Sequence, residues 1–498
     1  MSSLKKYFEI SRSCDSILYS KFSSITTFSI PWLFIIREHP DDLANYKNIY
    51  NNKKLSYLLF FFKYIKKIII ITYRLIIKIN FSTKYFYNNS KLKKTDYIFV
   101  STLVNKQYLN KEDDFYFKDI KKTISNDKNL IFSLINQQNL KINKSDLINK
   151  DKLVFKNDLF FTYEIKIFLI ALSESAKLFI RSIFNRGLRK NILLQASLEA
   201  LSSSTISSIR LNIQFEKLIK QVNPKVIILT YEGYAWERLC FFTSKKFNKN
   251  IRCIGYQHTR LFNNQHSIFR CFNNDFDPDI ILTSGEIPTK IFKKKINSKK
   301  ISIINIGKLD YDLHIEKKND QSINTKNKEI CLVVPEGNLN ENILLIKFIF
   351  NIIRFNKKYI FLLRFHPIVN LNYLQKKFNF ISNLNDNIII SSDTLYADLC
   401  NSKYVLYRGS SVIFSAVKYG LVPIYLKNVD EISINPLNEI LDNEINSAEY
   451  KLFENKLSQI KSKMSINDDT SAFVNKYFNE FNYKNFKLIL EDNFNIYD

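Results

Sequence analysis

Glycine is scarce in this chain: there are only 8 in 498 residues, and seven of them lie between Gly233 and Gly420. Most of these end a short apolar run, such as KVIILTYEG, DIILTSG, EICLVVPEG and YVLYRG. Glycine permits the backbone angles and the close approach needed where a strand ends and a ligand arrives. In an open parallel sheet, ligands bind at that carboxyl edge. We therefore expect the functional residues in the C-terminal half.

Cysteine is also sparse, and the six cysteines form no CxxC pair and show no metal-ligand spacing. Several lie in apolar runs, which predicts buried, reduced thiols in a cytosolic protein. The first sixteen residues, MSSLKKYFEISRSCDS, lack a continuous apolar core and therefore predict no secretory signal. There is no P-loop and no GxGxxG fingerprint, which argues against an NTPase or a dehydrogenase and predicts no cofactor.

Acidic residues are outnumbered by basic ones, and 74 − 47 gives a net charge of +27. Such an excess is typical of nucleic-acid binding. Here, however, the lysines are scattered among many asparagine, isoleucine, phenylalanine and tyrosine residues, as in proteins from AT-rich genomes, and no arginine-rich block occurs. We predict no nucleic-acid partner; an anionic substrate or an anionic membrane surface accounts for the charge equally well.

Long uninterrupted apolar runs are missing, and residues 58–79 form the one membrane candidate. Five cations interrupt this segment, so a spanning helix is not expected: Lys63, Lys66, Lys67, Arg74 and Lys78. At about 100° per residue they fall within a stripe of roughly 120°, opposite leucine, phenylalanine and isoleucine. Two alternatives stay open: a helix lying in an anionic membrane interface, or a surface helix packed on a domain with its lysines outward.

The order of apolar segments predicts an α/β fold. Residues 1–95 show no regular rhythm, and predicted strands then lie at 95–103, 129–135, 225–230, 251–256, 279–285 and 301–307, with two long helices at 160–185 and 190–220. From 329 to 430 strands and helices alternate, which predicts a parallel sheet. The predicted parts are a basic, helical N-terminal extension (1–95), a first Rossmann-like domain (96–316), a linker (317–328), a second Rossmann-like domain (329–430) and C-terminal helices that pack back on the first domain (431–498). Two such domains facing one cleft describe the GT-B type of architecture.

The strongest constellation is Gly409-Ser410-Ser411, which follows the strand YVLYR and precedes a helix. A helix start with serine hydroxyls can bind phosphate, although serine there also serves as an ordinary N-cap. His366-Pro367 follows the strand YIFLLR, and we expect His366 to donate to the same phosphate because neighbouring loops share one sheet edge. Glu336 and Gly337 end the first strand of this domain, and Gly337 is expected to let the ligand approach.

In the first half, Tyr231-Glu232-Gly233 follows the strand KVIILT. A carboxylate at the carboxyl end of a strand is placed to act as a general base, and we assign that role to Glu232. Glu237 suits an acid that complements a helix dipole. Four further residues are candidates for the acceptor side or the cleft, together with Tyr231: Trp236, Gln257, His258 and Glu286. The aspartate string at 275–279 precedes a strand instead of following one, so it predicts a strand-entry turn and no catalytic metal.

These motifs resemble those of bacterial GT-B glycosyltransferases that use CMP-activated acidic sugars, the sialyl-, polysialyl- and Kdo-type transferases. That family has an acidic-acidic-Gly motif, a His-Pro motif and a serine pair, matched here by Glu232-Gly233, His366-Pro367 and Ser410-Ser411. Tyr231 stands in place of the first acid. The segment YEGYAWERL followed by GYQH also resembles a group of surface-carbohydrate biosynthesis proteins. CDP-glycerol phosphotransferases of teichoic-acid synthesis share the two later motifs.

The resemblance covers about 220–430 and implies a metal-independent glycosyltransferase of bacterial surface polysaccharide or lipopolysaccharide assembly. It implies that Glu232 is the base and that His366, Ser410 and Ser411 stabilise the departing phosphate. The second domain would then bind a nucleotide-sugar donor and the first a glycan or lipid-linked acceptor, in the cytoplasm, peripheral to the inner membrane if the 58–79 helix binds lipid. A CDP-glycerol-type phosphotransferase, a sugar-nucleotide epimerase and a non-catalytic GT-B scaffold are the alternatives.

Overall fold

The computed structural model describes residues 3–50, 57–77, 80–88, 92–124, 128–272, 274–309, 311, 329–369, 371–377, 385–429, 431–464 and 469–491. It contains an eight-stranded and a six-stranded sheet. The prediction of two parallel-sheet α/β domains of the GT-B type is confirmed. The predicted linker at 317–328 and Lys78 lie outside the described residues.

The first sheet has the strand order β1-β4-β3-β2-β5-β6-β7-β8, and every neighbouring pair is parallel except β1 with β4. Its strands are β1 (Phe86–Asn88), β2 (Tyr97–Thr102), β3 (Leu130–Ile135), β4 (Lys152–Phe155), β5 (Val226–Thr230), β6 (Arg252–Gln257), β7 (Ile280–Thr283) and β8 (Ser302–Asn305). The central strands are isoleucine-, valine- and leucine-rich runs buried on both faces, as a helix-covered parallel sheet requires. The sequence analysis missed β1 and β4.

Helices of the first half cover this sheet, and the N-terminal extension joins them. They are α1 (Ser3–Leu18), α2 (Ile25–Phe28), α3 (Pro40–Ala44), α4 (Lys47–Tyr50), α5 (Tyr57–Ile77), α6 (Phe161–Ile183), α7 (Gly187–Ala200), α8 (Ser203–Val222), α9 (Ala235–Phe247) and α10 (Glu286–Lys295). The predicted helix at 190–220 is in fact two helices. The hydroxyl of Ser202 accepts the N–H of Thr205 and starts α8 there, because serine competes for backbone donors.

The N-terminal extension is integrated into the first domain. Tyr7, Phe28 and Trp32 belong to one buried cluster with residues of α7 and with Phe272 and Phe276. The Phe28 and Phe276 rings stack with their centroids 3.8 Å apart. Aromatic residues of the first 50 positions, which show no visible period in the sequence, therefore form a core of their own between α7, α9 and the loop that precedes β7.

The second sheet is entirely parallel, with the order β11-β10-β9-β12-β13-β14. Its strands are β9 (Glu329–Val334), β10 (Tyr359–Leu363), β11 (Ile388–Ile390), β12 (Tyr404–Tyr407), β13 (Val422–Lys427) and β14 (Glu444–Asn446). Its helices are α11 (Leu339–Phe355), α12 (Leu371–Lys377), α13 (Leu395–Asn401), α14 (Val412–Lys418) and α15 (Phe453–Met464). β14 falls within the part of the sequence for which we expected only helices.

Of the last two helices, α16 (Asp469–Tyr477) packs on α14 of the second domain and on α10 of the first, and α17 (Tyr483–Leu490) lies against the first domain. The guanidinium of Arg252 donates to the carbonyls of Ile489 and Leu490 at 2.6 and 2.9 Å. The backbone N–H of Lys308 donates to the carbonyl of Asn479 at 2.9 Å. The chain thus returns from the second sheet to the first. In the described part of the chain, no helix has both the length and the apolar content that crossing a bilayer requires.

Candidate functional site

The carboxyl edges of the two sheets meet through the loop that follows β6. Arg260 in this loop donates from Nε to the carbonyl of Gly409 at 2.7 Å and from Nη2 to the carbonyl of Ile434 at 3.0 Å. Phe262 inserts into the apolar core of the second domain. The backbone N–H of Leu261 donates to the Tyr477 hydroxyl at 2.8 Å. Buried contacts therefore hold the carboxyl edges of the two sheets, which carry the sequence motifs, next to each other.

On the second edge, the structure brings three of the sequence-predicted positions together around Glu336, namely Gly337, His366 and Gly409. A Cβ on Gly409 would lie 1.4 Å from Glu336 Oε1, so the carboxylate rests directly on the Gly409 backbone. A Cβ on Gly337 would lie 3.2 Å from His366 Nδ1. Gly337 and Gly409 therefore make room for side chains of the site itself, whereas the sequence had suggested room for a ligand at Gly337.

His366 is held in one orientation at the start of its loop. Its Nδ1 accepts the N–H of Ile368 at 3.2 Å, which assigns the ring proton of the neutral imidazole to Nε2. Burial lowers the pKa of His366 below its usual value, although the charge of Glu336 opposes this. At neutral pH the side chain is therefore a neutral imidazole whose Nε2–H is a hydrogen-bond donor.

The serine pair is only weakly engaged in capping. The Ser411 hydroxyl makes no cap hydrogen bond with α14, although Ser411 occupies the cap position. The Ser410 hydroxyl accepts the N–H of Val412 at a long 3.4 Å. The preceding Arg408 is fully buried and is an internal ion-pair partner of Glu341 and Glu431. Both serine hydroxyls thus keep hydrogen-bonding capacity for another group.

Glu336 itself is an anion at the centre of this edge. Burial alone would raise its pKa, but His39 and the charges of Arg37 and Arg260 outweigh burial and lower the pKa of Glu336 to about 2. His39 Nε2 lies 3.2 Å from Glu336 Oε2. His39 is itself buried and its Nδ1 accepts the N–H of Asp41 at 3.2 Å, which caps α3. The N-terminal extension thus contributes side chains to the cleft.

On the first edge, Glu232 is positioned by its neighbours. Thr259 donates its hydroxyl to Glu232 Oε1 at 3.1 Å, and His258 Nε2 lies 3.9 Å from the same oxygen. Glu237, at the start of α9, accepts backbone N–H groups of residues 232, 233 and 234 at 2.7 to 3.1 Å. Burial and the charge of Glu232 raise the pKa of Glu237 well above its usual value, although the three backbone hydrogen bonds act to lower it. Glu237 therefore fixes the backbone that carries Glu232.

Three of the predicted cleft residues lie in the interior instead. Tyr231 is fully buried in the first core, where its hydroxyl donates to the Ile268 carbonyl at 3.3 Å. Trp236 packs in the same core. Gln257 is fully buried, and its Oε1 accepts both the N–H and the hydroxyl of Ser284 at 3.1 Å. Tyr231 follows β5 and Gln257 ends β6, and alternate side chains at a strand end turn back to the core; Trp236 lies in the first turn of α9.

The two remaining candidates differ from each other. His258 lies at the cleft side of β6, and its ring contacts the Tyr116 ring edge-on at 4.8 Å. Glu286 is exposed in the first turn of α10, where its N–H donates to Asn479 Oδ1 at 3.0 Å. The start of α10 is therefore occupied by the segment after α16, and Glu286 is placed to complement the helix dipole.

The aspartates at 275–279, which precede β7, form ion pairs with neighbouring basic side chains. Asp277 Oδ1 lies 2.6 Å from Arg238 Nη1, and Asp279 Oδ1 lies 2.6 Å from Lys245 Nζ. Asp279 also accepts the N–H of Cys253 at 2.8 Å. These contacts tie α9 to the β6–β7 edge at the amino end of β7. No group of three metal-ligating side chains occurs among the described residues.

A cavity of about 360 Å³ lies between the N-terminal extension and the first domain. Its lining is mostly apolar with four polar groups: Asp42, Asn45, Glu199 and Ser204. Tyr234 also lines it, and the charge of Glu232 is the largest cause that raises the pKa of Tyr234. Tyr234 therefore borders the cavity and is close to the candidate base, although Glu232 is not among the lining residues.

The sequence analysis missed the contribution of Arg37, His39 and Arg260. One signal was available: His39-Pro40 repeats the His-Pro dipeptide of His366-Pro367. The arginines carry no local motif, since their roles depend on contacts between segments more than a hundred residues apart.

No protein-family model matches the sequence, and no curated protein matches it. Among solved structures, the chain is similar to UDP-GlcNAc 2-epimerase from Methanocaldococcus jannaschii, with 14% identity, TM-score 0.42, and coverage of 80% of this chain and 99% of that one. It is also similar to the glycosyltransferase of kitacinnamycin, with 9% identity, TM-score 0.47, and coverage of 80% and 99%. The pneumococcal O-GlcNAc transferase GtfA in complex with UDP and GlcNAc shares 12% identity at TM-score 0.36, over 57% and 60% of the two chains. At these values the similarity describes fold only.

Proposed function

We propose that the cleft transfers a sugar from a nucleotide-activated donor to a glycan acceptor without a metal ion. The observation that supports this most is the meeting of two chemically different edges. A positioned carboxylate, Glu232, lies on the first edge, and hydrogen-bond donors, His366 Nε2–H and the Ser411 hydroxyl, lie on the second. Arg37, whose Nε lies 3.0 Å from Asp42 Oδ2, is close enough to both Glu232 and Glu336 for its charge to act on them. The resemblance of the motifs favours a CMP-linked acidic sugar as donor.

Glu232 acts as the general base in this proposal. It takes the proton from an acceptor hydroxyl, whose oxygen attacks the anomeric carbon of the donor sugar. The bond between that carbon and the donor phosphate oxygen breaks, and the nucleotide leaves with its electron pair. The Thr259 hydroxyl fixes one carboxylate oxygen and leaves the other for the proton.

The donor phosphate is bound by His366 and the serine pair. The neutral His366 donates from Nε2, Ser411 supplies a hydroxyl that capping does not use, and Ser410 supplies one whose hydrogen bond with the N–H of Val412 is long. Glu336 cannot bind phosphate because it is an anion, so its role is to accept a hydrogen bond from a donor hydroxyl. Arg37 and Arg260 offset its charge and make the edge favourable for an anionic nucleotide, and His39 Nε2 lies 3.2 Å from its Oε2.

The acceptor sugar occupies the cavity between the N-terminal extension and the first domain. Its volume is within the range of small-molecule sites, and its carboxylates and amide can accept and donate hydrogen bonds to sugar hydroxyls. Tyr234 forms the wall between the cavity and Glu232. The reacting hydroxyl of an acceptor bound there must extend past Tyr234 to reach the base, and a lipid-linked glycan of surface polysaccharide assembly fits this arrangement.

The test compares two single variants for nucleotide affinity and for transfer. Glu232→Gln should lower turnover about 10²–10⁴-fold and leave the affinity for the free nucleotide unchanged, because the carboxylate does not touch phosphate. His366→Ala should weaken both, since it removes a donor present in the ground state and the transition state. Glu216→Gln, an exposed carboxylate on α8, is the control and should match the wild type.

The same assay separates the alternatives. Full activity in Glu232→Gln, or unchanged nucleotide affinity in His366→Ala, would contradict the assignment of roles. Conversion of the donor sugar without any acceptor would identify an epimerase. Transfer of a glycerol phosphate would identify a CDP-glycerol-type phosphotransferase. A wild-type protein that binds no nucleotide at all would be a scaffold.

A further inference from the structure

Helix α5 buries one face against the first domain. Phe60 lies against Leu194 and Leu198 of α7, and its ring stacks on Phe179 of α6 at 5.0 Å between centroids. Ile71 packs with residues of α6 and α8. Lys67 also lies on this inner side, where its Nζ donates to the Leu198 carbonyl at 2.8 Å and lies 3.2 Å from Glu199 Oε1. The helix is therefore docked, and Lys67 is occupied by the protein.

The opposite face of α5 is apolar and exposed. Six apolar residues, separated along the helix by 4, 3, 4, 4 and 3 positions, form a stripe in which each residue is 53 to 70% exposed: Leu58, Phe62, Ile65, Ile69, Tyr73 and Ile76. At about 100° per residue this stripe covers an arc of roughly 80°. Apolar residues of α6 adjoin it, since the Phe61 and Phe179 rings are in contact and Ile180 and Ile183 follow. Contiguous apolar surface of this extent marks an interaction site.

Within the segment of sequence that carries this stripe, the charge is of one sign. Between residues 43 and 95 there is no aspartate or glutamate, but there are eleven lysines and one arginine. Lys66 is exposed beside the stripe, and Lys63 and Arg74 follow on the same flank, between the stripe and the buried face. A protein partner that covered this face would have to be both apolar and acidic, whereas a bilayer with anionic headgroups supplies both properties at once.

We propose that the outer stripe of α5 docks on an anionic phospholipid surface, with its apolar side chains below the headgroups and Lys63, Lys66 and Arg74 at the phosphates. The inference holds whether or not the cleft transfers a sugar. It also assigns the binding to an exposed apolar face with a cationic flank, instead of to a cationic stripe alone. Glu199, the partner of Lys67, lines the cavity, so α5 contacts the wall of the proposed acceptor site.

The test measures co-sedimentation of the full chain with vesicles of phosphatidylcholine alone or mixed with phosphatidylglycerol. The wild type should bind only the mixed vesicles, and binding should fall as salt rises. The double variant Phe62→Glu/Ile69→Glu should lose at least about tenfold in binding, since it places two anions in the stripe. The matched control is Phe355→Glu/Val429→Glu, which changes two exposed apolar residues of the second domain and should bind as the wild type does.

A second measurement needs no variant. Hydrogen exchange of the wild type with and without mixed vesicles should show added protection in peptides that cover Tyr57–Ile77 and none in α11. Equal binding by the stripe variant and the control, or no protection of α5, would overturn the proposal. Sedimentation velocity without lipid distinguishes a second copy of the chain as the occupant. A dimer that becomes a monomer in Phe62→Glu/Ile69→Glu would also overturn it.

Discussion

The carboxyl edges of the two sheets carry similar short motifs, but the structure uses them differently. On the first sheet, glycines after β7 and β8 make room for the returning C-terminal chain. A Cβ at Gly285 would lie 2.1 Å from the carbonyl oxygen of Tyr477, and one at Gly307 would lie 2.1 Å from that of Glu480. On the second sheet, Gly337 and Gly409 make room for polar side chains. The same residue type thus marks a structural contact on one edge and the candidate site on the other.

The difference teaches what a glycine at a strand end can indicate. It predicts the close approach of some group, but whether that group is protein or ligand depends on which segments pack there. On the first edge, α16 and the segment after it cover the ends of β7 and β8, which leaves the ends of β5 and β6 for chemistry. Glu232 and His258 lie at those two strand ends. The functional part of the first edge is therefore narrower than the row of glycines suggests.

The largest effect should come from Gly307→Ala. Gly307 has φ +86°, where a side chain is strained, and its Cβ would collide with the Glu480 carbonyl. Strain and overpacking together should lower the free energy of unfolding by about 4 kcal/mol. Urea denaturation measures the loss, and limited proteolysis should release the segment that carries α16 and α17. Unchanged stability would show that the C-terminal segment does not hold the first edge as described.

Much of the fold was predictable because most strands are short, apolar and followed by helices. The strands at 226–230, 359–363 and 404–407 lie within one or two residues of their predicted positions. β1, β4 and β14 are three or four residues long and, unlike the equally short β7 and β12, do not lie in an apolar run that leads to a glycine, so the sequence does not reveal them. Residues 1–50 were not predictable because their aromatic core is completed by side chains from α7 and α9.

The candidate site was predictable only in part. Glu232, His366 and the serine pair were predicted because each comes shortly after an apolar strand that is recognisable in the sequence. Tyr231 and Gln257 follow strands too, yet side-chain direction at a strand end alternates, and the sequence does not say where the alternation stops. Arg37 and His39 could not be placed, since they reach the cleft from a segment that is distant in sequence.

A smaller effect, dependent on pH, is expected from Glu336→Gln. The pKa of Glu336 is lowered from 4.5 to about 2 in the folded protein, so its ionisation stabilises the fold above about pH 4.5. That contribution, of the order of 3 kcal/mol, is lost as pH falls from 4.5 towards 2. Denaturation at pH 7, 5 and 3 should therefore show a difference between the variant and the wild type that shrinks at pH 3. A difference independent of pH would indicate that the carboxylate contributes through packing alone.

The smallest effect on stability, and the most direct comparison with Gly307, is expected from Gly337→Ala. The new methyl group would lie 3.2 Å from His366 Nδ1 and from Ile368 Cγ2, which are side chains that can yield by a few tenths of an ångström. Stability should therefore change by less than about 1 kcal/mol. The displaced imidazole should nevertheless weaken nucleotide binding severalfold, because its Nε2–H no longer points at the phosphate. The double variant Gly337→Ala/His366→Ala is the control: without the imidazole, the added methyl group should have no further effect on affinity. If the alanine weakens binding equally with and without His366, Gly337 makes room for the ligand after all, and the two edges differ less than the structure indicates.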